Sequence, residues 1–213
     1  MCVFCEEIKN PIIVKQLLGE SFPFDSRILY SDKYVLALAG YGPQVFPYVL
    51  VLTKRHINSF AKTDNTEKAH VLKCLDWLLE QNIFSSSKLC VFEHGGDSCT
   101  GCSSIDHFHL HVIDDSLNFF DSIDWEVGRL LHTITKNSDL ADYENYLMIG
   151  KYEHGSINAK FNLSNIKESQ YFRKKLAALL NNSRWDWKTN MNNEYIEKLV
   201  SLVKQNSPAV KPG

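Results

Sequence analysis

Residues 106–112 read DHFHLHV, with His107, His109 and His111 at alternate positions and Phe108, Leu110 and Val112 between them. Side chains of a β-strand point alternately to its two faces, so on a strand the three imidazoles share one face about 7 Å apart while the apolar residues enter a core. A helix would scatter them. A single histidine in such a pattern is ordinarily just a polar strand residue, but here three of the chain's eight histidines fall within five positions. HxH on a strand has two chemical uses. Two imidazoles can hold one metal, as in zinc hydrolases that keep an open position for water. Alternatively, one histidine can act as a nucleophile while its neighbours orient it and bind charge.

Outward from this stretch, the upstream GGDSCTGCSS (95–104) supplies Gly95, Gly96 and Gly101, which are free to adopt positive φ, and the hydroxyls of Ser103 and Ser104. Such a loop can turn backbone N–H groups toward an anion, so loop and histidines together suggest a phosphoryl site. Before it, RILY, KYVLALA and FPYVLVLTK (27–54) are rich in β-formers and broken at Ser31-Asp32 and Tyr41-Gly42-Pro43, which predicts an antiparallel meander. DNTEKAHVLKCLDWLLEQN (64–82) places Val71, Leu72, Leu75, Leu78 and Leu79 on one helical stripe behind a polar cap with Glu67 in the first turn. KLCVFEH (88–94) returns to strand. Sheet, helix, sheet predicts an α+β fold. Beyond Val112, helices are expected at 122–136, 169–181 and 193–205, a strand at 146–152, and disorder at 207–213.

The 213 residues allow one core domain of about 110 to 130 residues with a substantial extension. With 44% hydrophobic and 23% charged residues and a net charge of −2, the composition is that of a soluble globular protein with no footprint for nucleic acid or an anionic membrane. No stretch reaches the roughly 18 apolar residues of a membrane span. The first fifteen residues also lack the basic start and apolar run of a signal peptide, so a cytoplasmic protein is expected. Six cysteines in that compartment read as thiols or metal ligands. The CxxC pairs Cys2/Cys5 and Cys99/Cys102 are too far apart for a simple zinc ribbon. Cys74 and Cys90 read as core; Cys99 and Cys102 read first as loop residues, with a redox pair or a second metal site as the alternatives. His70, His132 and His154 are expected to face solvent, and Lys54-Arg55 to be a solvated strand end.

The N-terminal CVFC, PYVLVLTKRHINSF (47–60) and GCSSIDHFHLHVI (101–113), in that order, resemble the histidine triad (HIT) superfamily of nucleotide hydrolases and transferases. The resemblance spans about residues 1–113. It implies a HIT-like antiparallel sheet with a long amphipathic helix, a nucleotide-binding catalytic domain over 1–113, and a mainly helical extension over 114–213 packed onto it. By the same resemblance His109 is the nucleophile that takes the α-phosphate of a nucleotide as a covalent adduct, and His111 and Ser104 contact the transferring phosphate. Gly95, Gly101 and Ser103 belong to the phosphate cradle. Cys2, Cys5, His56 and His107 hold one structural zinc, a closed Cys2His2 tetrahedron that leaves His109 for chemistry. His111 stands where transferase and phosphorylase branches resemble HxHxQ, which favours hydrolysis of a dinucleoside polyphosphate or nucleoside phosphoramidate over nucleotidyl transfer. A low-turnover nucleotide-binding protein and a mononuclear zinc hydrolase using all three histidines are the alternatives.

The resemblance further implies a homodimer paired through the helix and adjoining sheet edge, a contact the extension is placed to replace. Phe46-Pro47 and Glu93-His94-Gly95 depart from the family's Pro-Gly and Asn-Gly, and the loop before the triad is longer. SQYFRKKLAALLNNSRWDW (169–187) weakly resembles a segment of a bacterial branch; no role is assigned to Gln170 or Arg173.

Overall fold

A computed structural model describes residues 2–10, 12–96, 105–125, 132–133, 145–162 and 168–206. The meander is present as β1 (Ile28–Ser31), β2 (Val35–Ala39) and β3 (Tyr48–Thr53), followed by the long helix α3 (Asn65–Glu80), β4 (Leu89–Gly96) and the histidine strand β5 (His109–Asp114). Two short helices, α1 (Val3–Lys9) and α2 (Ile12–Leu18), precede them. After β5 come α4 (Phe119–Ser122), β6 (His132–Thr133), β7 (Asn145–Glu153), β8 (Ser156–Asn162), α5 (Tyr171–Leu179) and α6 (Asn193–Asn206). All pairings are antiparallel in one sheet of order β1-β2-β3-β5-β4-β7-β8-β6. The fold is α+β. Among the described residues no helix is long and apolar enough to cross a membrane.

Both faces of the sheet are covered, which is why β2 and β3 read as unbroken apolar runs rather than alternating ones. On one face, Val49, Val51, Leu110 and Val112 pack with Val71, Cys74, Leu75 and Leu78 of α3 and with Ile196, Leu199 and Val200 of α6. On the other, Leu50, Leu52, Phe92 and Ile113 pack with Phe4 of α1, Phe119 of α4, and Phe172 and Leu176 of α5. β3 and β5 pair Leu52 with His109 and Leu50 with His111, which sets the histidines among the second group.

α3 starts where its polar cap predicts. Asp64 accepts from the Glu67 N–H and the Glu67 side chain accepts from the Asp64 N–H, a complete capping box. Glu67 also accepts two hydrogen bonds from Arg55, at 2.7 and 2.6 Å, so Arg55 is paired rather than simply solvated.

Three expectations are corrected. The histidine strand begins at His109, and His107 lies in the bend before it; the Phe108 N–H reaches the Ile57 carbonyl instead of a ladder partner. In the described part of 122–136 the helix ends at Ser122, and His132–Thr133 is a strand drawn into the sheet by pairing with Ala159 and Asn158 of β8. Tertiary pairing overrides the local apolar period there. His70 is half-buried, its Nδ1 2.7 Å from Asp32, while His154 is exposed as expected. The expectation for 207–213 falls outside the described residues.

Candidate active site and metal centre

α1 carries CVFC onto the sheet beside the bend that holds His107. Cys2 Sγ lies 3.4 Å and Cys5 Sγ 3.5 Å from His107 Nδ1, and Cys5 Sγ lies 3.3 Å from His56 Nδ1. The four potential ligand atoms all fall within 4.8 Å of one another. For a tetrahedral ion with metal–sulfur bonds of about 2.3 Å and metal–nitrogen bonds of about 2.05 Å, sulfur and nitrogen sit about 3.6 Å apart. The cluster therefore fits a single metal ion. The second nitrogen of His107 is buttressed, Nε2 donating to the Thr53 carbonyl at 2.8 Å, while His56 Nε2 has the Asp106 carboxylate 3.8 Å away, beyond hydrogen-bond distance. Because Nε2 of neutral His107 keeps the proton, its Nδ1 presents a lone pair to the sulfurs. Burial, reinforced by the neighbouring Cys2 sulfur, pushes the Cys5 thiol up to about 11. Two thiolates side by side need a cation to hold them.

The arrangement at His109 is reversed. Its Nδ1 lies 2.7 Å from the His107 carbonyl oxygen, which can only accept, so Nδ1 carries the proton and Nε2 is a bare lone pair. Burial pushes His109 down to about 4, which keeps the ring neutral at pH 7. Phe4, on the helix that carries the cysteines, packs edge-on against both His107 and His109 at 5.9 and 5.3 Å between centroids. The metal cluster and the candidate nucleophile therefore share one wall.

His111 is stacked on Phe92, with centroids 4.8 Å apart and planes 10° from parallel, and its Nδ1 is 2.8 Å from the Tyr48 hydroxyl. Burial holds it well below the ordinary histidine range. His109 and His111 line one pocket with Phe4, Tyr48, His94 and Arg173. The extension also supplies Tyr171, Phe172 and Trp187 to its wall. Arg173 is 5% exposed and donates to the carbonyls of Trp185, Tyr41 and Gly42. These bonds tie the extension to the turn at Tyr41–Pro43, where Gly42 sits at φ +58° with the Trp187 backbone 2.7 Å from where a Cβ would stand. Only glycine fits that turn.

Among the pocket residues that went unassigned in the sequence are Tyr48, His94 and Arg173. His94 was visible only as a departure from a family motif. Its Nδ1 is buried without a hydrogen-bond partner among the described residues, and burial pushes the ring down to about 4. Arg173 lay in the weakly resembling segment 169–187 but was given no role, since an arginine in a helical stretch ordinarily faces solvent.

Of the residues expected at the site, Cys2, Cys5, His56 and His107 converge in one cluster, and His109 and His111 line the pocket. Gly95 lies in β4 opposite Tyr146, and a Cβ there would meet the Tyr146 ring at 2.4 Å. Ring packing by itself requires glycine there. Gly101, Ser103, Ser104, Cys99 and Cys102 lie outside the described residues. Cys74 and Cys90 are buried as expected.

The family model of the HIT domain matches residues 22–116. Similar solved structures include a histidine triad protein from Clostridium difficile, 22% identical, covering 53% of this chain and 88% of that one with a TM-score of 0.38. Others are a HIT family protein from Bacillus anthracis (19%, 53% and 72%, TM-score 0.39) and a histidine triad nucleotide-binding protein from Candida albicans (19%, 53% and 72%, TM-score 0.37). No curated protein matches the chain. Residues 22–116, which hold β1 to β5 and the row His107, His109, His111, form a HIT domain.

Proposed function

We propose that the chain is a hydrolase of nucleotide phosphoanhydride or phosphoramidate bonds that works through a covalent nucleotidyl-His109. The observation that carries this reading is the bond from His109 Nδ1 to the His107 carbonyl, which leaves Nε2 of a neutral, pocket-lining imidazole as the free nucleophile. Nε2 attacks the α-phosphorus, the bond to the leaving group breaks, and the leaving group departs with the electron pair and takes up a proton. Water then attacks the adduct and releases the nucleoside monophosphate and neutral His109. Phosphoryl transfer needs mainly positioning and charge stabilisation, for which His111 and, by family resemblance, Ser103, Ser104 and Gly101 are the candidates.

Zinc is the metal proposed for Cys2, Cys5, His56 and His107, since a Cys2His2 donor set suits it and a closed tetrahedron is structural. Its part is to pin α1, and with it Phe4, against the sheet. In this reading residues 1–113 carry the chemistry, and 114–213 complete the sheet and one wall of the pocket. Cytoplasmic placement and a homodimer belong to the same proposal. A monomer at micromolar concentration in sedimentation would mean that the extension takes the place of the dimer contact.

Turnover of a fluorogenic nucleoside phosphoramidate, with a panel of dinucleoside polyphosphates beside it, tests the activity. The expected result is release of nucleoside monophosphate, abolished in His109→Ala. Nucleotide binding without product would make the chain a nucleotide-binding protein instead, and transfer to an acceptor faster than to water would make it a transferase.

A further inference from the structure

Tyr48 opens β3 with its ring fully buried, edge-on to His111 with 5.7 Å between centroids. Among the described residues its hydroxyl has two partners: His111 Nδ1 at 2.8 Å and Arg173 Nη1 at 3.4 Å. A guanidinium has five N–H donors and no acceptor, so Arg173 can only donate to the phenol oxygen. The phenol proton then has one acceptor left, His111 Nδ1. A neutral imidazole carries a single ring proton; if Nδ1 accepts, that proton is on Nε2. Nε2 has no partner among the described residues, and its ring lines the pocket beside His109.

We infer that Arg173, reaching from the extension through Tyr48, locks His111 as the Nε2–H tautomer and so aims a fixed hydrogen-bond donor at the phosphoryl group on His109. Tyr48 and Arg173 are then positioning residues for the transfer step, an assignment that rests on the nucleotidyl-transfer reading above. Burial and the stacked Phe92 keep His111 neutral, and a neutral ring has two tautomers to choose from. With Nδ1 protonated, the nitrogen facing the substrate would be a lone pair, repelled by phosphoryl oxygens. Arg173 adds charge as well as direction. Among the described residues its hydrogen-bond acceptors are three carbonyls and one phenol; the Asp186 carboxylate feels its charge without hydrogen-bonding to it, so Arg173 keeps a positive charge beside His111, where an anion would bind.

A purely structural Arg173, a strut between residues 41–44 and the extension, predicts a different outcome, and the two separate by spectroscopy. In full-length protein labelled with 15N-histidine, long-range 1H–15N spectra report which nitrogen of each imidazole is protonated, with His111 assigned by its loss in His111→Gln. The unsubstituted chain should show His111 with Nε2–H and bare Nδ1. Tyr48→Phe keeps the buried ring and removes only the hydroxyl; it should bring a substantial Nδ1–H population at His111. On a nucleoside phosphoramidate it should lower kcat about tenfold or more with little change in KM, as for a weakened transition-state donor. Arg173→Met should do the same and Arg173→Lys, still donor-only, should restore part of the loss. His111 found as Nδ1–H in the unsubstituted chain, or unchanged in Tyr48→Phe, overturns the inference. The spectra need no substrate, so a chain that turns over no nucleotide would sink the hydrolase reading while this measurement still decides the tautomer.

Discussion

Three chemically identical side chains within five residues present different nitrogens according to the hydrogen-bond partner each one finds. The Thr53 carbonyl takes the Nε2 proton of His107 and turns Nδ1 toward the sulfurs, whereas the His107 carbonyl takes the Nδ1 proton of His109 and frees Nε2. The three should therefore fail differently when removed. His107→Ala is expected to lower zinc content and melting temperature, with activity lost as a consequence. His109→Ala should abolish turnover while metal content and fold persist. His111→Ala should cost about 10²- to 10³-fold in rate, the range for one preorganised donor. Zinc content, melting temperature and single-turnover rate on the three proteins check this, and loss of zinc from His109→Ala would instead favour a catalytic metal held by all three.

The position of His109 on the pH scale adds a second expectation. A histidine pushed down to about 4 is an unprotonated nucleophile above that value and loses its lone pair as pH falls through it. The rate of adduct formation should thus stay level from pH 8 to pH 5.5, where an ordinary histidine near 6.5 would already have cost about tenfold. A rate that halves near pH 6.5 would mean that the ring is solvated.

At the scale of elements, α1 is the part on which the candidate metal cluster and the pocket both depend, and it is held by more than the cysteines. Glu7 accepts two 2.7 Å hydrogen bonds from Arg27, and both side chains are almost fully buried. Arg27 also lies 3.7 Å from the Tyr41 ring centroid. Glu7→Gln leaves that guanidinium without its counter-charge, at a cost of about 3–5 kcal/mol in denaturant unfolding. It should also speed the loss of metal to a chelator, because the helix bearing Cys5 loses its second anchor. An effect below about 1 kcal/mol would show that water replaces the carboxylate.

How far such elements could be read beforehand varied with how local their causes are. β1 to β5 and α3 follow from alternation, apolar runs and a capping box, all written within a few residues. β8 was legible too, for SINAKFN buries Ile157, Ala159 and Phe161 alternately, but that signal went unread. The four candidate ligands came from family motifs, and proximity across a hundred residues had no other signature. What no local pattern carried was the departure of His107 from the strand and the burial of Arg173, because each depends on carbonyls supplied by distant turns.

For the whole molecule, the decisive feature is that the extension belongs to the sheet. β7 pairs with β4 from Leu89↔Tyr152 to Gly96↔Asn145, while α5 and α6 cover opposite faces. The join contains a buried acid. Glu93 on β4 accepts from the Phe60 N–H at 2.8 Å and lies 2.7 Å from the Tyr146 hydroxyl of β7, which itself accepts from the Ala61 N–H. No cation is among these contacts, and burial pushes Glu93 up to about 8. At neutral pH the folded chain thus holds a proton here that the unfolded chain, with an ordinary carboxylate near 4, has released.

The sign follows from linkage. Below about pH 4 both states bind the proton, and the group adds no pH dependence. Between about 4 and 8 the folded state binds more protons than the unfolded, so stability falls as pH rises, with a slope approaching about 1.4 kcal/mol per pH unit. Above 8 the loss is complete. Glu93→Gln mimics the protonated acid in shape: its amide oxygen can accept from Phe60 and its NH2 can donate to Tyr146. That variant should match the unsubstituted chain at about pH 4 and below, exceed it in stability at pH 8, and lack this component of the slope between. Denaturant unfolding of both proteins across the range decides the matter. Parallel curves would mean that Glu93 is ionised in the folded state, and that a cation or water reaches the join between the HIT domain and its extension.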